Sequence, residues 1–178
     1  MARDFGSLEK RFKQLIEEGD KLFQDARVRD QLFQEIAENV YPERADFTLT
    51  NNTGGQFASN LDTSYPIMAR RDLGNAFGAM LRPPGKDWFS NRLKRDDEAD
   101  EEGRKWLEMT TKVQRRAIYD LESNFIRATK EGDHDFASFG QCVISSEPAV
   151  SPTSGPILLH RCWHLRDVVW TENALGKI

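Results

Sequence analysis

Residues 136–170, FASFGQCVISSEPAVSPTSGPILLHRCWHLRDVVW, decide the fold class, because the sequence pattern changes within them. In the sequence before this stretch, apolar residues recur three and four apart, which is typical of helices. Within it they form short runs between turn residues, which predicts strands at 142–144, 157–163 and 168–170. Turn residues predict an exposed loop after the first strand: Pro148, Pro152, Gly155 and Pro156. We therefore expect an α+β fold, with long helices followed by a small antiparallel sheet at about 140–178.

The longest amphipathic segment precedes this sheet and covers residues 7–40, predicted as one long helix or two collinear ones. Its apolar residues alternate four and three apart, with Gly19 and Arg29 as interruptions. They are Leu8, Phe12, Leu15, Leu22, Ala26, Phe33, Ile36 and Val40, widened by Ile16, Phe23, Leu32 and Ala37. A stripe of this width faces a core, so it must pack against the rest of the chain or against another copy. Pro42 ends the segment, because proline lacks an N–H group and disfavours helical geometry at Tyr41.

A second helix is predicted over residues 64–81, with an apolar face on one side. The residues of that face are Ile67, Leu73, Phe77, Met80 and Leu81. Gly74 and Gly78 lie four residues apart, and such a pair predicts the close approach of another backbone. The sequence Arg82-Pro83-Pro84-Gly85 then stops the helix, and residues 88–93 are predicted to form a short strand.

A third, long helix is predicted over residues 96–131, because acidic residues crowd its start, where free N–H groups favour negative charge. Its predicted apolar side consists of Trp106, Met109, Val113, Ala117, Leu121 and Phe125, and its wetter side of Arg115, Arg116, Glu122 and Arg127. Gly132 is expected to close this helix, followed by a short helical turn at 133–139.

The composition excludes several classes of protein. The 178 residues are 38% hydrophobic and 30% charged, and no run approaches the roughly 18 apolar residues that a membrane span needs. Two cysteines, Cys142 and Cys162, are too few for a disulfide framework, and we expect reduced thiols in a cytosol-like compartment. The absence of a signal peptide at the N-terminus favours the same compartment.

The net charge of -4 argues against a general nucleic-acid-binding coat protein. Residues 61–95 are the exception, because they carry an excess of basic side chains. These side chains either touch phosphate or pair with the acidic segment that follows, residues 96–135. These side chains are Arg70, Arg71, Arg82, Lys86, Arg92, Lys94 and Arg95.

Four groups of residues are candidates for metal binding, catalysis or phosphate binding. His160, Cys162 and His164 alternate on a predicted strand and share a face, which suits zinc or a Cys–His nucleophile as well as ordinary sheet residues. The acidic run at 96–102 suits calcium or a helix start, and His134 between two aspartates suits acid–base chemistry or a cap region. Residues 51–55, Asn-Asn-Thr-Gly-Gly, suit a surface loop better than a phosphate loop, because no Lys-Ser or Lys-Thr follows them. Since no common catalytic motif occurs, we predict no catalytic residue, no cofactor and no metal site.

One resemblance extends along residues 10–178 and rests on the joint order of several pieces. They are Tyr41-Pro42, Asp62-Thr63-Ser64, the small-residue helix from Ala69 to Leu81, Pro83-Pro84-Gly85 with Trp88-Phe89, Phe136-Ala137-Ser138-Phe139-Gly140 and the turn Thr171 to Lys177. In order and spacing the chain resembles the N-terminal part of the head-to-tail connecting, or portal, proteins of short-tailed bacteriophages.

The resemblance implies a structural, non-enzymatic subunit of a homo-oligomeric ring at one capsid vertex. It implies partners as well: terminase, capsid and tail proteins, and double-stranded DNA that passes through the ring without sequence preference. Residues 1–178 are expected to be a single wing-like region from a longer chain, in a virion component assembled in the bacterial host cytoplasm, with no membrane partner. The alternative is a small helical protein-interaction module with no catalytic activity.

Overall fold

The structure is a computed structural model that describes residues 5–48, 61–93, 100–151 and 155–172. In these residues, five α-helices precede two β-strands, which confirms the predicted α+β class. The elements are α1 (Phe5–Asp25), α2 (Arg27–Val40), α3 (Tyr65–Leu81), α4 (Glu101–Ile118), α5 (Phe125–Phe139), β1 (Val143–Ser151) and β2 (Gly155–Trp163).

The chain divides into two compact units. The first unit consists of Met1–Thr63 together with His164–Ile178, and the second of Ser64–Trp163. That residues 1–178 act as a single region stays a prediction.

The first unit begins with the long amphipathic segment, which forms two nearly continuous helices as predicted. Ala26, between α1 and α2, keeps right-handed helical geometry with φ -72° and ψ -13°. Its N–H donates to the Leu22 carbonyl at 3.0 Å, and its own carbonyl accepts from the Asp30 N–H at 2.9 Å. The segment ends at Val40, and Pro42 begins a short 3₁₀ turn, Pro42–Arg44.

The core of the first unit forms where α2 meets the turn after it and the segment after β2. Its buried apolar side chains are Phe33, Ala37, Ala45, Phe47 and Leu165. Gln34 is buried among them, and its side-chain oxygen accepts from the Phe47 N–H at 2.8 Å. The Arg29 guanidinium donates to the Leu165 carbonyl at 3.1 Å. The residues that follow the sheet are therefore held against α2 by both apolar and polar contacts.

The second unit is built on the packing of α3 against α5. A Cβ atom at Gly74 would lie 2.8 Å from Cε1 of His134, and one at Gly78 would lie 3.0 Å from Oδ2 of Asp133. The glycines allow α5 to pack closely on α3, and the α5 atoms nearest to them belong to side chains. Three residues of the predicted apolar face of α3 are exposed, namely Leu73, Met80 and Leu81, whereas Arg70 and Gly74 of the same helix are buried.

The prediction of a single helix over 96–131 is wrong, because the helix is interrupted between α4 and α5. Asp120 accepts from the Glu122 N–H at 2.9 Å, and the Ser123 hydroxyl donates to the Ile118 carbonyl at 2.5 Å. Asn124 follows in the left-handed region at φ 56°. Short polar side chains thus satisfy the backbone groups locally and offer an alternative to the continuing helix.

The predicted end of that helix is wrong as well. Gly132 lies buried inside α5, where a Cβ atom would meet Cδ1 of Ile144 at 2.8 Å. The helix continues through the predicted turn at 133–139 and ends at Gly140, whose φ of 70° suits a glycine C-cap.

β1 and β2 form an antiparallel pair whose register runs from Val143 opposite Trp163 to Ser151 opposite Gly155. The predicted loop is wrong at Pro148, because β1 continues through it to Ser151, and at Gly155 and Pro156, which begin β2, whereas Pro152 lies outside the described residues. Each strand of a two-stranded sheet has a free edge, where the missing N–H of a proline costs no ladder bond.

Two other predicted strands are absent from the residues that the structure describes. Residues 168–170 follow the 3₁₀ turn Leu165–Asp167, which packs in the first unit, and they form no strand. Residues 88–93 are irregular, because the Asn91 N–H donates to the hydroxyl of Thr111 in α4 at 2.9 Å rather than to a neighbouring strand.

Several predictions fall outside the described residues: the loop at 51–55, residues 94–99 with Lys94, Arg95 and the start of the acidic run, and the turn at 173–176. Among the described helices, none is both long and apolar enough to cross a membrane.

Candidate functional site

His160, Cys162 and His164, weighed as metal ligands, have separate partners. His160 and Cys162 share the face of β2 that packs on α5, as predicted. The buried His160 has its Nδ1 hydrogen-bonded to the Ser146 hydroxyl at 2.8 Å, and burial lowers its pKa. The thiol of Cys162 donates to Oδ2 of Asp135 at 3.5 Å. Both side chains therefore act as packing residues of the sheet.

His164 does not share that face, so the prediction of three aligned side chains is wrong. β2 ends at Trp163, and the His164 ring packs in the first unit against Phe47, with ring centroids 4.7 Å apart. Its Nε2 donates to the Arg44 carbonyl at 3.2 Å, and its Nδ1 accepts from the Arg166 N–H at 3.1 Å. These two bonds require a neutral imidazole, and burial followed by the charge of Arg44 lowers the pKa of His164.

The sequence Asp133-His134-Asp135, weighed for acid–base chemistry, lies inside α5 rather than in a cap region. Asp133 forms an ion pair with Arg82, and the buried Asp135 accepts from the thiol of Cys162. His134 packs against Gly74, and burial, with the charge of Arg70, lowers its pKa. The three side chains point to different neighbours, so they do not form an acid–base site.

Within the described residues, no group of three or more His, Cys, Asp or Glu side chains is placed to hold a metal ion. Cys142 and Cys162 are free thiols. Burial and the carboxylates of Asp135 and Asp133 raise the pKa of Cys142. A raised pKa leaves little thiolate at neutral pH, which makes Cys142 a poor nucleophile.

The basic residues of 61–95 pair in part with the acidic segment that follows, which was one of the two predicted outcomes. Arg82 pairs with Asp133, at side-chain exposures of 18% and 12%. Arg70 is buried in α3. At least these two cations are not displayed toward solvent for phosphate binding.

The Pro-Pro-Gly-x-x-Trp-Phe sequence crosses the second unit between α3 and α4. The Trp88 indole stacks on Phe125, with centroids 6.2 Å apart and planes 4° apart, and its N–H donates to the Tyr119 hydroxyl at 2.7 Å. The guanidinium of Arg115 lies over the Phe89 ring at 5.2 Å and donates to the Phe89 carbonyl. The segment is thus anchored by aromatic and cationic contacts beside a groove of about 690 Å³.

Sequence reasoning missed two of these anchors, Thr111 and Arg115. Arg115 was assigned to the wetter side of its helix, yet it is half-buried and pairs with Asp87. Both residues lie on the same side of α4, four positions apart. The spacing of the threonine and the arginine could have indicated a polar contact side of α4. A search for apolar periodicity does not detect such a pair.

α1 exposes the apolar side of the predicted stripe to solvent. Phe12 is 65% exposed, and the other large side chains of this face are also exposed: Leu8, Leu15, Ile16 and Phe23. Charged residues flank the face on both sides. The described residues of the chain therefore leave the face of α1 without an apolar cover.

α4 shows the same feature, since Thr111 is its buried residue and its apolar side is bare. Trp106, Met109 and Val113 are 61%, 62% and 60% exposed. Leu121 and Phe125, predicted to extend this side, lie beyond the end of the helix. Folded helices that keep large apolar faces in water are typical of protein-interaction sites.

A protein-family model described as bacteriophage head to tail connecting protein matches residues 12–178. The chain belongs to this family. The head-to-tail connecting protein therefore has a structural role in a bacteriophage, where it connects with head and tail as a component of the virion. The family is a structural one and is not known as an enzyme. Comparisons with curated proteins and with solved structures give no match.

Proposed function

We propose that this head-to-tail connecting protein is a subunit of a homo-oligomeric ring at one vertex of the capsid. Family membership and two bare apolar helix faces, on α1 and α4, support the proposal. Subunits of a closed ring need two different contact faces, because each one joins a neighbour on either side through heterologous contacts.

In this proposal the ring passes double-stranded DNA during packaging and ejection, and contacts the terminase, the capsid and the tail. Subunits assemble in the cytoplasm of the bacterial host and perform no catalysis of their own. The net charge of -4 suits a passage through which DNA slides, since cationic walls would retain its phosphates.

The bare face of α1 favours this function over the alternative of a small helical interaction module. A self-sufficient module would bury the stripe from Leu8 to Val40 within its own fold. The buried residues of the stripe, Phe33 and Ala37, both lie in α2, whereas Leu8, Phe12, Leu15, Ile16 and Phe23 of α1 are exposed.

Light scattering after size-exclusion chromatography, with electron microscopy of the eluted species, tests the ring. We expect a mass that rises with protein concentration, and ring-like or irregular oligomers in the images. A compact monomer at every concentration would contradict the proposal.

A mobility-shift assay with duplex DNA tests the passage separately. We expect weak retention without sequence preference, which disappears as salt is raised. Tight binding that survives physiological salt would contradict a sliding passage and leave the ring itself untouched.

A further inference from the structure

α1 and α4 have similar lengths, and each has a bare apolar face. Their 21 and 18 residues correspond to helices of about 31 and 27 Å at 1.5 Å per residue. The face of α1 runs from Leu8 to Phe23, over about 22 Å, and that of α4 from Trp106 to Val113, over about 10 Å. The face of α4 is therefore short enough to be covered completely by that of α1.

Charge is distributed in opposite senses along the two helices. The first half of α1 is net positive and its second half net negative: Glu9, Lys10, Arg11 and Lys13, then Glu17, Glu18, Asp20, Lys21 and Asp25. The first half of α4 is net negative, and its second half is positive even without the engaged Arg115: Glu101, Glu102, Arg104, Lys105 and Glu108, then Lys112 and Arg116. A parallel pair brings opposite charges together, whereas an antiparallel pair brings like charges together.

We propose that α1 of one copy lies parallel along α4 of a neighbouring copy and forms the head-to-tail contact of the assembly. The inference rests on the proposed ring, because cyclic symmetry requires a contact between two different faces. Pairing of α1 with α1, or of α4 with α4, joins two copies and then stops. In the parallel arrangement, Phe12 and Leu15 lie near Trp106 and Met109.

Two variants of the full chain test this contact. One carries Phe12→Asp with Leu15→Asp, which places carboxylates on the α1 face, and the other carries Met109→Asp with Val113→Asp on the α4 face. All four side chains are more than half exposed, so both variants are expected to keep the helix content of the parent by circular dichroism. Gln14→Asp and Arg104→Asp are the matched controls, since both positions are exposed and lie away from the apolar faces.

Analytical ultracentrifugation measures the strength of association between copies. Each variant alone is expected to associate at least about tenfold more weakly than the parent, and each control within about twofold of it. An equimolar mixture of the two variants is expected to form a heterodimer, because one copy keeps an intact α4 face and the other an intact α1 face.

Four outcomes overturn the inference. An α4 variant that still dimerises alone shows that α1 pairs with itself, and a mixture that stays monomeric shows that the two faces do not recognise each other. If both variants still form rings, other surfaces build the ring, and the proposed function stands without this contact. If the parent is a compact monomer at every concentration, the proposed function fails as well.

A charge exchange tests the parallel direction. Glu18→Lys and Lys112→Glu are each expected to weaken association about two- to fivefold, and their combination in one chain is expected to restore part of it, because opposite charges then meet between copies. Additive weakening in the combined variant would contradict the parallel alignment.

Discussion

α1 and α2 share one apolar stripe, yet the structure uses its two parts differently. In α2, Phe33 is 6% exposed and packs on Phe47 with ring centroids 5.5 Å apart. In α1, Phe12 occupies an equivalent place in the repeat and is 65% exposed. The comparison teaches that periodicity reveals that a helix has an apolar face, but not whether its own chain covers that face.

α5 and α4 repeat this difference in the second unit. α5 packs on α3 and on the sheet through Gly132, His134 and Asp135, whereas α4 contacts the remainder of the unit through Thr111 and Arg115. Polar anchors hold α4 in place and leave its apolar side free. Each unit thus contains a helix whose inner face is covered, α2 or α5, and another whose apolar side is bare, α1 or α4.

The largest expected effect separates Phe33 from Phe12. Phe33→Ala is expected to lower the free energy of unfolding by about 3–5 kcal/mol, because it empties a buried ring site. Phe12→Ala is expected to change it by less than about 0.5 kcal/mol, since the ring lies in solvent. Urea unfolding of dilute protein, followed by circular dichroism, measures both. Equal losses in the two variants would break the comparison.

A smaller effect separates two helical glycines. Gly74→Ala is expected to lower the free energy of unfolding by about 1–3 kcal/mol, because the new methyl group meets the His134 ring. Gly19→Ala is expected to raise it by about 0.5–1 kcal/mol, since nothing lies within 4 Å and alanine favours the helix. Urea denaturation measures both, and midpoints that shift in opposite directions would sharpen the comparison. If Gly74→Ala raised the free energy of unfolding, α3 and α5 would pack loosely.

The pH dependence of the free energy of unfolding reports on the packed regions, because the three histidines lie there. The pKa values of His134, His160 and His164 lie below 6.5 in the folded chain, so the unfolded chain binds protons more readily. Stability is therefore complete above about pH 6.5 and falls as the pH drops toward the lowered values, by at most about 1.4 kcal/mol per pH unit for each histidine.

Urea midpoints between about pH 8 and pH 5 measure this loss, with His164→Asn as the comparison variant. That variant is expected to be less stable at neutral pH but to lose less stability on acidification. Neither α1 nor α4 contains a histidine, so histidine protonation is not expected to alter the bare faces themselves. A stability that rises on acidification would contradict the buried, neutral state of these rings.

The smallest effect separates two tryptophans. Trp88→Phe keeps the ring stack but removes the indole donor to Tyr119, and is expected to lower the free energy of unfolding by about 0.5–1.5 kcal/mol. Trp106→Phe is expected to leave it within about 0.5 kcal/mol. Thermal unfolding measures both, and a larger loss from Trp106→Phe would show that the α4 face is covered.

The sequence predicted the parts of the fold that depend on local pattern. It located the long N-terminal helical segment, its end at Pro42, the second helix over 64–81 and the change to strands after Gly140. It missed the break at 119–124, because Asp120, Ser123 and Asn124 stop the helix through local hydrogen bonds that do not alter apolar spacing. It also placed Gly132 at a helix end, although packing against Ile144 explains that glycine.

The chemical patterns show a similar division. Alternation correctly put His160 and Cys162 on one face, because strand geometry fixes it. It failed for His164, since the strand ends one residue earlier and the ring joins another set of contacts.

By itself, the sequence determined the first two helical segments, the change to strands after Gly140, the family and the presence of apolar faces, since each follows from the order and spacing of residues along the chain. Only the tertiary structure decided which faces are covered, because burial depends on residues distant in sequence. In α2, Phe33 packs on Phe47, and Arg29 donates to the carbonyl of the buried Leu165 across more than a hundred residues of chain, whereas the described residues bring no apolar cover to the faces of α1 and α4.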